Sequence, residues 1–173
     1  VIVAEYQHGA IQAAHDAYHF APTLSADPEF QRTLPAYLLT YGDWWCEQVT
    51  APVRTVSIGN PHRTEQLFGR ANAQRGSART ILVLGDGMKT ERYISFAKNI
   101  SERLRENWSV LFRPHPLERS AVLDDSSYDW SRVRLDVERD LYKSLFTVHM
   151  VVSEASTALF EAIGVVPRIA LWG

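Results

Sequence analysis

Several features that would assign a protein quickly are scarce in this sequence. Cys46 is the single cysteine, which excludes an internal disulfide and any cysteine-based zinc cluster. No apolar run is long enough to cross a bilayer. The formal net charge is only -2, so nothing indicates a general affinity for nucleic acid. The 173 residues are otherwise 46% hydrophobic and 22% charged, as in an ordinary globular protein.

Short apolar segments alternate with amphipathic ones from residue 53 onward. The clearest strand is predicted over 80–84 and the clearest helix over 90–106, while 21–34 and 117–131 read as polar connections. This alternation predicts βαβ units with right-handed crossovers. We therefore expect an α/β fold, a Rossmann-like parallel sheet flanked by helices.

Two segments are expected to differ in role. Residues 1–52 are predicted to form an interdomain and active-site segment, and 53–173 a Rossmann-like nucleotide-binding domain. Val1 is not a methionine and lies inside what reads as a strand. We therefore expect the chain to be a fragment of a larger protein.

The stretch 149–172 reads as strand, polar turn, helix, turn and strand. Ser153, Ser156 and Thr157 place hydroxyls where the strand ends and the helix begins. A helix N-terminus offers unpaired N–H groups, and small hydroxyl residues let an anion approach them. Glu161 follows about one turn later and could accept hydrogen bonds from a ribose. Plain helix capping and a solvated carboxylate explain the same residues equally well.

Histidines near the N-terminus are candidates for proton transfer. His8 follows the first predicted strand, and ligands of open α/β sheets bind at the carboxyl ends of strands. Histidine exchanges a proton near neutral pH, so His8 is the first catalytic candidate. His15 and His19 are spaced as a metal pair on one helical face, but without a third ligand we favour cleft or surface histidines.

Two further motifs follow predicted strands. Gly-Asp-Gly at 85–87 suits the close approach of a backbone to a ligand. Arg113 and His115 stand in an Arg-Pro-His-Pro motif, where two prolines stiffen the backbone. Basic groups held stiffly at a strand end favour phosphate or base recognition over an ordinary proline-rich loop.

The order of these motifs resembles the C-terminal, donor-binding half of a GT-B glycosyltransferase. The matching elements are Gln-His-Gly at 7–9, Ile-Gly-Asn-Pro at 58–61, Leu-Gly-Asp-Gly at 84–87, Arg-Pro-His-Pro at 113–116 and Ser-Glu-Ala-Ser-Thr at 153–157 with Glu161. They are similar to elements of teichoic-acid and capsule polymerases, CDP-glycerol glycerophosphotransferases and bacterial sialyltransferases. Gly85 replaces the first acid of the sialyltransferase motif, so no catalytic role is carried over to Asp86.

The resemblance implies a transferase that moves a sugar or polyol phosphate from an activated nucleotide to a bacterial cell-surface polysaccharide. His8 would be the catalytic base. The residues implied in donor binding are Gly59, Asn60, Gly85, Asp86, Gly87, Arg113, His115, Pro116, Ser153, Ser156, Thr157 and Glu161. Neither a metal nor a resident cofactor is expected, and the donor, linked to CMP, CDP or UDP, is a substrate.

The expected partners are this donor, a glycan acceptor and a missing N-terminal acceptor domain. The expected location is the cytoplasm or, through peripheral membrane association, the inner face of the bacterial membrane. Two alternatives stay open: a UDP-sugar 2-epimerase-like enzyme, and a non-catalytic module that binds nucleotides or proteins. A Rossmann oxidoreductase is disfavoured, because no GxGxxG motif follows the first strand.

Overall fold

A computed structural model describes residues 1–11, 16–69, 75–76 and 78–173. The chain forms two compact units, Val1–Glu65 and Gln66–Gly173. Both are built on parallel strands. Within the described ranges, no helix is both long and apolar enough to span a membrane.

The first unit contains a three-stranded parallel sheet in the order β1-β2-β3. Its elements are β1 (Ala4–Tyr6), α1 (Pro22–Ser25), α2 (Pro28–Gln31), β2 (Tyr37–Thr40), α3 (Asp43–Gln48) and β3 (Arg54–Ser57), and α4 (Pro61–Gly69) begins in it. The small core is formed by Ile11, Tyr18 and Leu38. β3 pairs with β2 and so lies in the first unit, although sequence analysis assigned residues from 53 onward to the second segment.

Two short helices, α1 and α2, occupy the stretch 21–34 that was expected to be a polar connection. The carboxylate of Asp27 accepts hydrogen bonds from the backbone N–H groups of Glu29 and Phe30. Pro28 follows as the first helical residue. A capping aspartate before proline is a favourable helix start, but neither helix buries a residue. The apolar periodicity that reveals longer helices is therefore lacking.

The second unit contains a five-stranded sheet in the order β6-β5-β4-β7-β8, with every pair parallel. Its elements are β4 (Arg79–Leu84), α5 (Thr90–Arg103), β5 (Trp108–Arg113), α6 (Arg119–Asp124), β6 (Arg134–Leu135), α7 (Leu141–Thr147), β7 (Met150–Ser153), α8 (Ala158–Ala162) and β8 (Ile169–Leu171). This confirms the predicted Rossmann-like α/β class. The connection expected over 117–131 in fact contains α6, which buries only Val122.

The strand order creates one special position at the carboxyl edge. From the central β4 the chain moves outward through β5 to β6, then returns to the other side of β4 for β7 and β8. The direction of winding therefore reverses between β4 and β7. Ligands of open α/β sheets bind in the crevice at such a switch point. β4 itself is buried from Thr80 through Leu84, between two hydrophobic clusters.

Candidate functional site

Three loops meet the carboxyl edge of the five-stranded sheet. Residues 85–89 follow β4, residues 114–118 follow β5 and residues 154–157 follow β7. A hydrogen bond of 2.9 Å from the Gly85 N–H to the Arg113 carbonyl extends the pairing of β4 and β5. The first two loops therefore leave the sheet side by side.

Asp86 orders the loop that leads into α5. One carboxylate oxygen accepts the backbone N–H groups of Met88 and Lys89, both at 2.9 Å. Burial acts to raise the pKa of Asp86, but these two hydrogen bonds and the nearby Lys89 ammonium outweigh it and hold the pKa below its usual range. The carboxylate is thus an ionised turn-forming group, as aspartate often is before a helix.

Glu118 ties the second loop to α5. Its Oε1 accepts the backbone N–H of His115 at 2.9 Å, and its own N–H donates to the His115 carbonyl at 3.0 Å. Its Oε2 accepts the Thr90 hydroxyl. Sequence reasoning missed Glu118, although a carboxylate three residues after a turn residue is a known local pattern. The carboxylate fixes the turn that carries His115.

Because Gly85 and Gly87 lack side chains, the loop after β5 can pack closely against the loop after β4. A Cβ at Gly85 would lie 2.7 Å from Oε1 of Glu118. A Cβ at Gly87, whose φ is +81°, would lie 2.9 Å from Nδ1 of His115. Sequence reasoning took these glycines as room for a ligand. In this structure the protein's own side chains occupy that space.

His115 has a defined ring orientation between Pro114 and Pro116. Its Nδ1 accepts the Leu117 N–H at 3.3 Å, so the proton of the neutral ring lies on Nε2. The side chain is half-buried, and among the described residues no hydrogen-bond partner is assigned to Nε2. The Nε2–H group is therefore available to a ligand oxygen.

Arg113 is engaged within the protein. Its guanidinium donates to the Asp136 carboxylate at 2.7 Å and to the Ser144 hydroxyl at 3.2 Å. It also donates to the carbonyls of Glu138 and Arg139, at 2.8 and 2.9 Å. These contacts hold the segment after β6 against the end of β5. They favour a positioning role for Arg113 over the predicted contact with a phosphate.

The hydroxyls after β7 are used in different ways. Ser153 is fully buried and donates to the Leu84 carbonyl at 2.8 Å, which ties β7 to β4. Ser156 accepts the Ala158 N–H at 3.3 Å, and Thr157 is exposed. α8 has only five residues, so its dipole offers less attraction for an anion than a longer helix would.

Glu161, expected to contact a ribose, accepts a hydrogen bond from the Tyr142 hydroxyl. The bond joins α8 to α7. The carboxylate is half-buried. A ligand contact by Glu161 stays a prediction.

In the first unit, Gln7 orders the loop that carries His8. Gln7 is 1% exposed, and its amide donates to the Gly9 carbonyl at 2.7 Å and accepts the Tyr41 N–H at 2.8 Å. Gly9 has a φ of +86°, a conformation that glycine adopts readily. His8 itself is exposed. Sequence reasoning quoted Gln7 in the motif but gave it no role.

Glu5 and Tyr18 form a hydrogen-bonded pair in the same unit. Burial raises the pKa of Tyr18, and the Glu5 carboxylate, which accepts its hydroxyl at 3.2 Å, raises it further. Tyr18 is thus a neutral donor at physiological pH. Its role is to hold the end of β1 to the core.

The Gly-Asn-Pro turn after β3 has a structural explanation. Gly59 has a φ of +79°. The side chain of Asn60 accepts the Arg63 N–H at 3.0 Å, and Pro61 is the first residue of α4. An asparagine cap before proline is a favourable helix start. Helix initiation therefore accounts for this motif without a ligand.

The predicted site residues thus fall on two carboxyl edges. The second unit brings Gly85–Gly87 and His115 together on its sheet and places Ser153 at the end of the adjacent β7. His8, Gly59 and Asn60 follow strands of the first unit. His15 lies outside the described residues, so the predicted His15–His19 pair has no structural description. Among the residues described, no cluster of three or more His, Cys, Asp or Glu side chains is arranged to hold a metal.

Comparison with known proteins finds similarity in structure alone. No known family and no curated protein matches the sequence. Three structures of the wall teichoic acid polymerase TagF match. One has 15% identity and a TM-score of 0.52 over 96% of this chain and 45% of that chain. One of a histidine-to-asparagine variant soaked for 30 minutes with CDPG has 17% identity and a TM-score of 0.53 over 87% and 40%.

A third structure, of the same variant soaked for 15 minutes, has 16% identity and a TM-score of 0.51 over 94% of this chain and 43% of that chain. The chain spans less than half the length of these TagF chains. At such low identity the likeness establishes a shared fold. The chain therefore shares an α/β fold with part of these TagF chains.

Proposed function

We propose that this chain binds the nucleotide-activated donor of a transferase that builds a bacterial cell-surface polysaccharide. The group transferred would be a sugar or a polyol phosphate. Binding would take place at the carboxyl edge of the five-stranded sheet, with His115 as a principal ligand residue.

The orientation of His115 carries this proposal. The Leu117 N–H occupies Nδ1, and the Glu118 carboxylate fixes the turn. A neutral imidazole held this way donates from Nε2 to a phosphate oxygen without first rearranging. An ordered donor stabilises the charge of a departing phosphate better than a mobile one, because its ordering cost is met on folding.

The location supports the same assignment. His115 stands on the loop next to Gly85–Gly87, and the latter loop borders the switch point between β4 and β7. This is where the Rossmann-like topology places nucleotides. The structures of similar fold include TagF crystals soaked with CDPG. They motivate the inclusion of CDP among the nucleotides to be tested.

His8 is proposed as the base that deprotonates an acceptor hydroxyl. It is exposed, while Gln7 beside it is buried and holds the loop with two hydrogen bonds. A proton acceptor needs access to its substrate and a fixed position. The exposure of His8 and the two hydrogen bonds of Gln7 support this role.

The first test is calorimetry of the chain with CMP, CDP, UMP, UDP, GDP and NAD. We expect one pyrimidine nucleotide to bind, and His115→Ala to weaken its binding at least tenfold, or about 1.4 kcal/mol. His62→Ala, at an exposed histidine of α4, is the matched control and should change little. A flat response to all six ligands would reject the proposal.

The second test separates binding from transfer. His8→Asn should abolish transfer to an acceptor while the affinity for the nucleotide stays within about twofold. An equal loss of nucleotide affinity would remove His8 from the role of base. Conversion of a UDP-sugar in the absence of acceptor would instead identify an epimerase-like activity.

A further inference from the structure

The crevice between β4 and β7 is crossed by an ion-pair cluster, which we name the Glu154 bridge. Oε1 of Glu154, on the loop after β7, lies 2.8 Å from Nζ of Lys89 before α5. Its Oε2 lies 3.5 Å from the Arg92 guanidinium in the first turn of α5. The bridge therefore joins the two sides of the switch point. None of its three members was singled out from the sequence as a ligand residue.

Glu154 is poorly satisfied in this position. Its side chain is 21% exposed, and its buried Oε2 has no hydrogen-bond partner among the residues that the structure describes. The Arg92 contact to that oxygen is long, at 3.5 Å. A buried carboxylate oxygen without a hydrogen bond is unfavourable. A group with more oxygens could satisfy the two cations better.

Lys89 and Arg92, in contrast, are accessible. Their side chains are 45% and 50% exposed, and Arg92 lies over the Trp172 ring at 4.8 Å. The ring contact holds the guanidinium in place while its N–H groups remain available for hydrogen bonds. Ion pairs between side chains this exposed are weak and readily exchanged.

The neighbouring carboxylates have other partners. Asp86 accepts the backbone N–H groups of Met88 and Lys89. Glu91 accepts the Tyr128 hydroxyl at 2.7 Å. Glu154 is therefore the carboxylate in contact with both cations.

We infer that Lys89 and Arg92 form a binding site for the diphosphate of a nucleotide, and that the Glu154 carboxylate occupies this site until the ligand displaces it. The inference rests on the proposed function, because it names where the anionic part of that ligand binds. It also implies selectivity. A ligand must carry enough charge to replace a carboxylate, so diphosphates are favoured over monophosphates and uncharged nucleosides.

Calorimetry with inorganic pyrophosphate and with CDP tests the inference. Glu154→Gln removes the competing charge and keeps the shape, so it should tighten the binding of pyrophosphate about three- to tenfold. Lys89→Met should weaken it at least fivefold. Glu102→Gln, at an exposed carboxylate in the last turn of α5, is the control and should stay within about twofold of the wild type.

The outcomes separate this inference from the proposed function. Weaker or unchanged binding of pyrophosphate by Glu154→Gln would overturn the inference that the Glu154 carboxylate competes with the ligand for Lys89 and Arg92. If nucleotides still bind in that case, the proposed function is retained and only the role of Glu154 is rejected. Tighter binding of pyrophosphate by Glu154→Gln, without binding of any nucleotide, would support an anion-binding site at Lys89 and Arg92. It would reject a nucleotide as the ligand of that site. Should Glu154→Gln fail to fold, unchanged pyrophosphate affinity in Lys89→Met would overturn the site.

Discussion

The loops at the carboxyl edges of the two parallel sheets are held in place by different chemical groups. In the second unit the carboxylates of Asp86 and Glu118 accept backbone N–H groups of their own loops, and the carboxylate of Asp136 accepts the Arg113 guanidinium. In the first unit the uncharged amide of Gln7 holds the loop that carries His8. Charge-assisted hydrogen bonds are roughly twice as strong as neutral ones. The second edge is therefore the more firmly pre-ordered of the two.

The difference shows what each edge is suited to do. A firmly ordered edge with His115 half-buried favours tight binding of a defined ligand group. An exposed His8 on a loop held by one amide favours transient contact with a second substrate. Substitutions of the side chains that hold these loops test the contrast between the two edges.

Replacing Arg113 should have the largest effect. Arg113→Met leaves the Asp136 carboxylate, which is 6% exposed, without its cation. Breaking a buried pair in this way lowers the free energy of unfolding by about 3–5 kcal/mol. Denaturant unfolding followed by circular dichroism measures it, with exposed Arg132→Met as the control. Unchanged stability with a loss of nucleotide affinity would instead make Arg113 a ligand residue.

Replacing Gln7 should cost less. Gln7→Leu keeps much of the buried volume but leaves the Tyr41 N–H and the Gly9 carbonyl without partners, a loss of about 1–3 kcal/mol. Hydrogen exchange at the Tyr41 amide should accelerate, because the bond that protects it is gone. Exposed Gln31→Leu provides the control. An effect as large as that of Arg113→Met would contradict the contrast between the two edges.

Two glycines provide a matched pair across the units. Gly59 and Gly87 have φ values of +79° and +81°, so alanine at either costs about 1–2 kcal/mol in backbone strain. Within the described part of the chain, a Cβ at Gly59 meets nothing within 4 Å, whereas one at Gly87 lies 2.9 Å from the His115 ring. Gly87→Ala should therefore also weaken nucleotide binding, measured by calorimetry. Equal effects of the two substitutions would show that His115 can move without penalty.

The smallest effect concerns Asp86 and depends on pH. Its pKa is depressed in the folded chain, so the stability it contributes is present above the unfolded pKa, near 3.9, and is lost as the pH falls through the folded value. Asp86→Ala should lower the free energy of unfolding by about 1 kcal/mol at pH 7. The difference from the wild type should shrink below pH 4. A difference independent of pH would mean that the charge of Asp86 is unimportant.

Much of the second unit could be predicted from local pattern. The buried run of β4 and the apolar stripe of α5 follow from periodicity, which reflects burial directly. Gly87 lies in a turn after β4 and has a positive φ, a conformation that glycine adopts readily. The short helices α1, α2 and α6 escaped prediction, because together they bury only Val122 and leave no apolar period.

The site residues, too, divide into those that a local pattern reveals and those that depend on distant partners. The motif around His115 was recognisable, because proline stiffens a backbone wherever the fold puts it. Ser153 was interpreted as a ligand hydroxyl, but it bonds to the Leu84 carbonyl, 69 residues away. Glu118 and Gln7 were missed, because their importance lies in their partners.

The sequence by itself determined the class of fold, the strands and helices of regular period, and the loops rich in glycine and proline. Each depends on residues that are close along the chain. Only the tertiary structure decided that Arg113 meets Asp136 and that Glu154 reaches Lys89, contacts that span 23 and 65 residues. The order of the strands brings such side chains together, and no local pattern encodes that order.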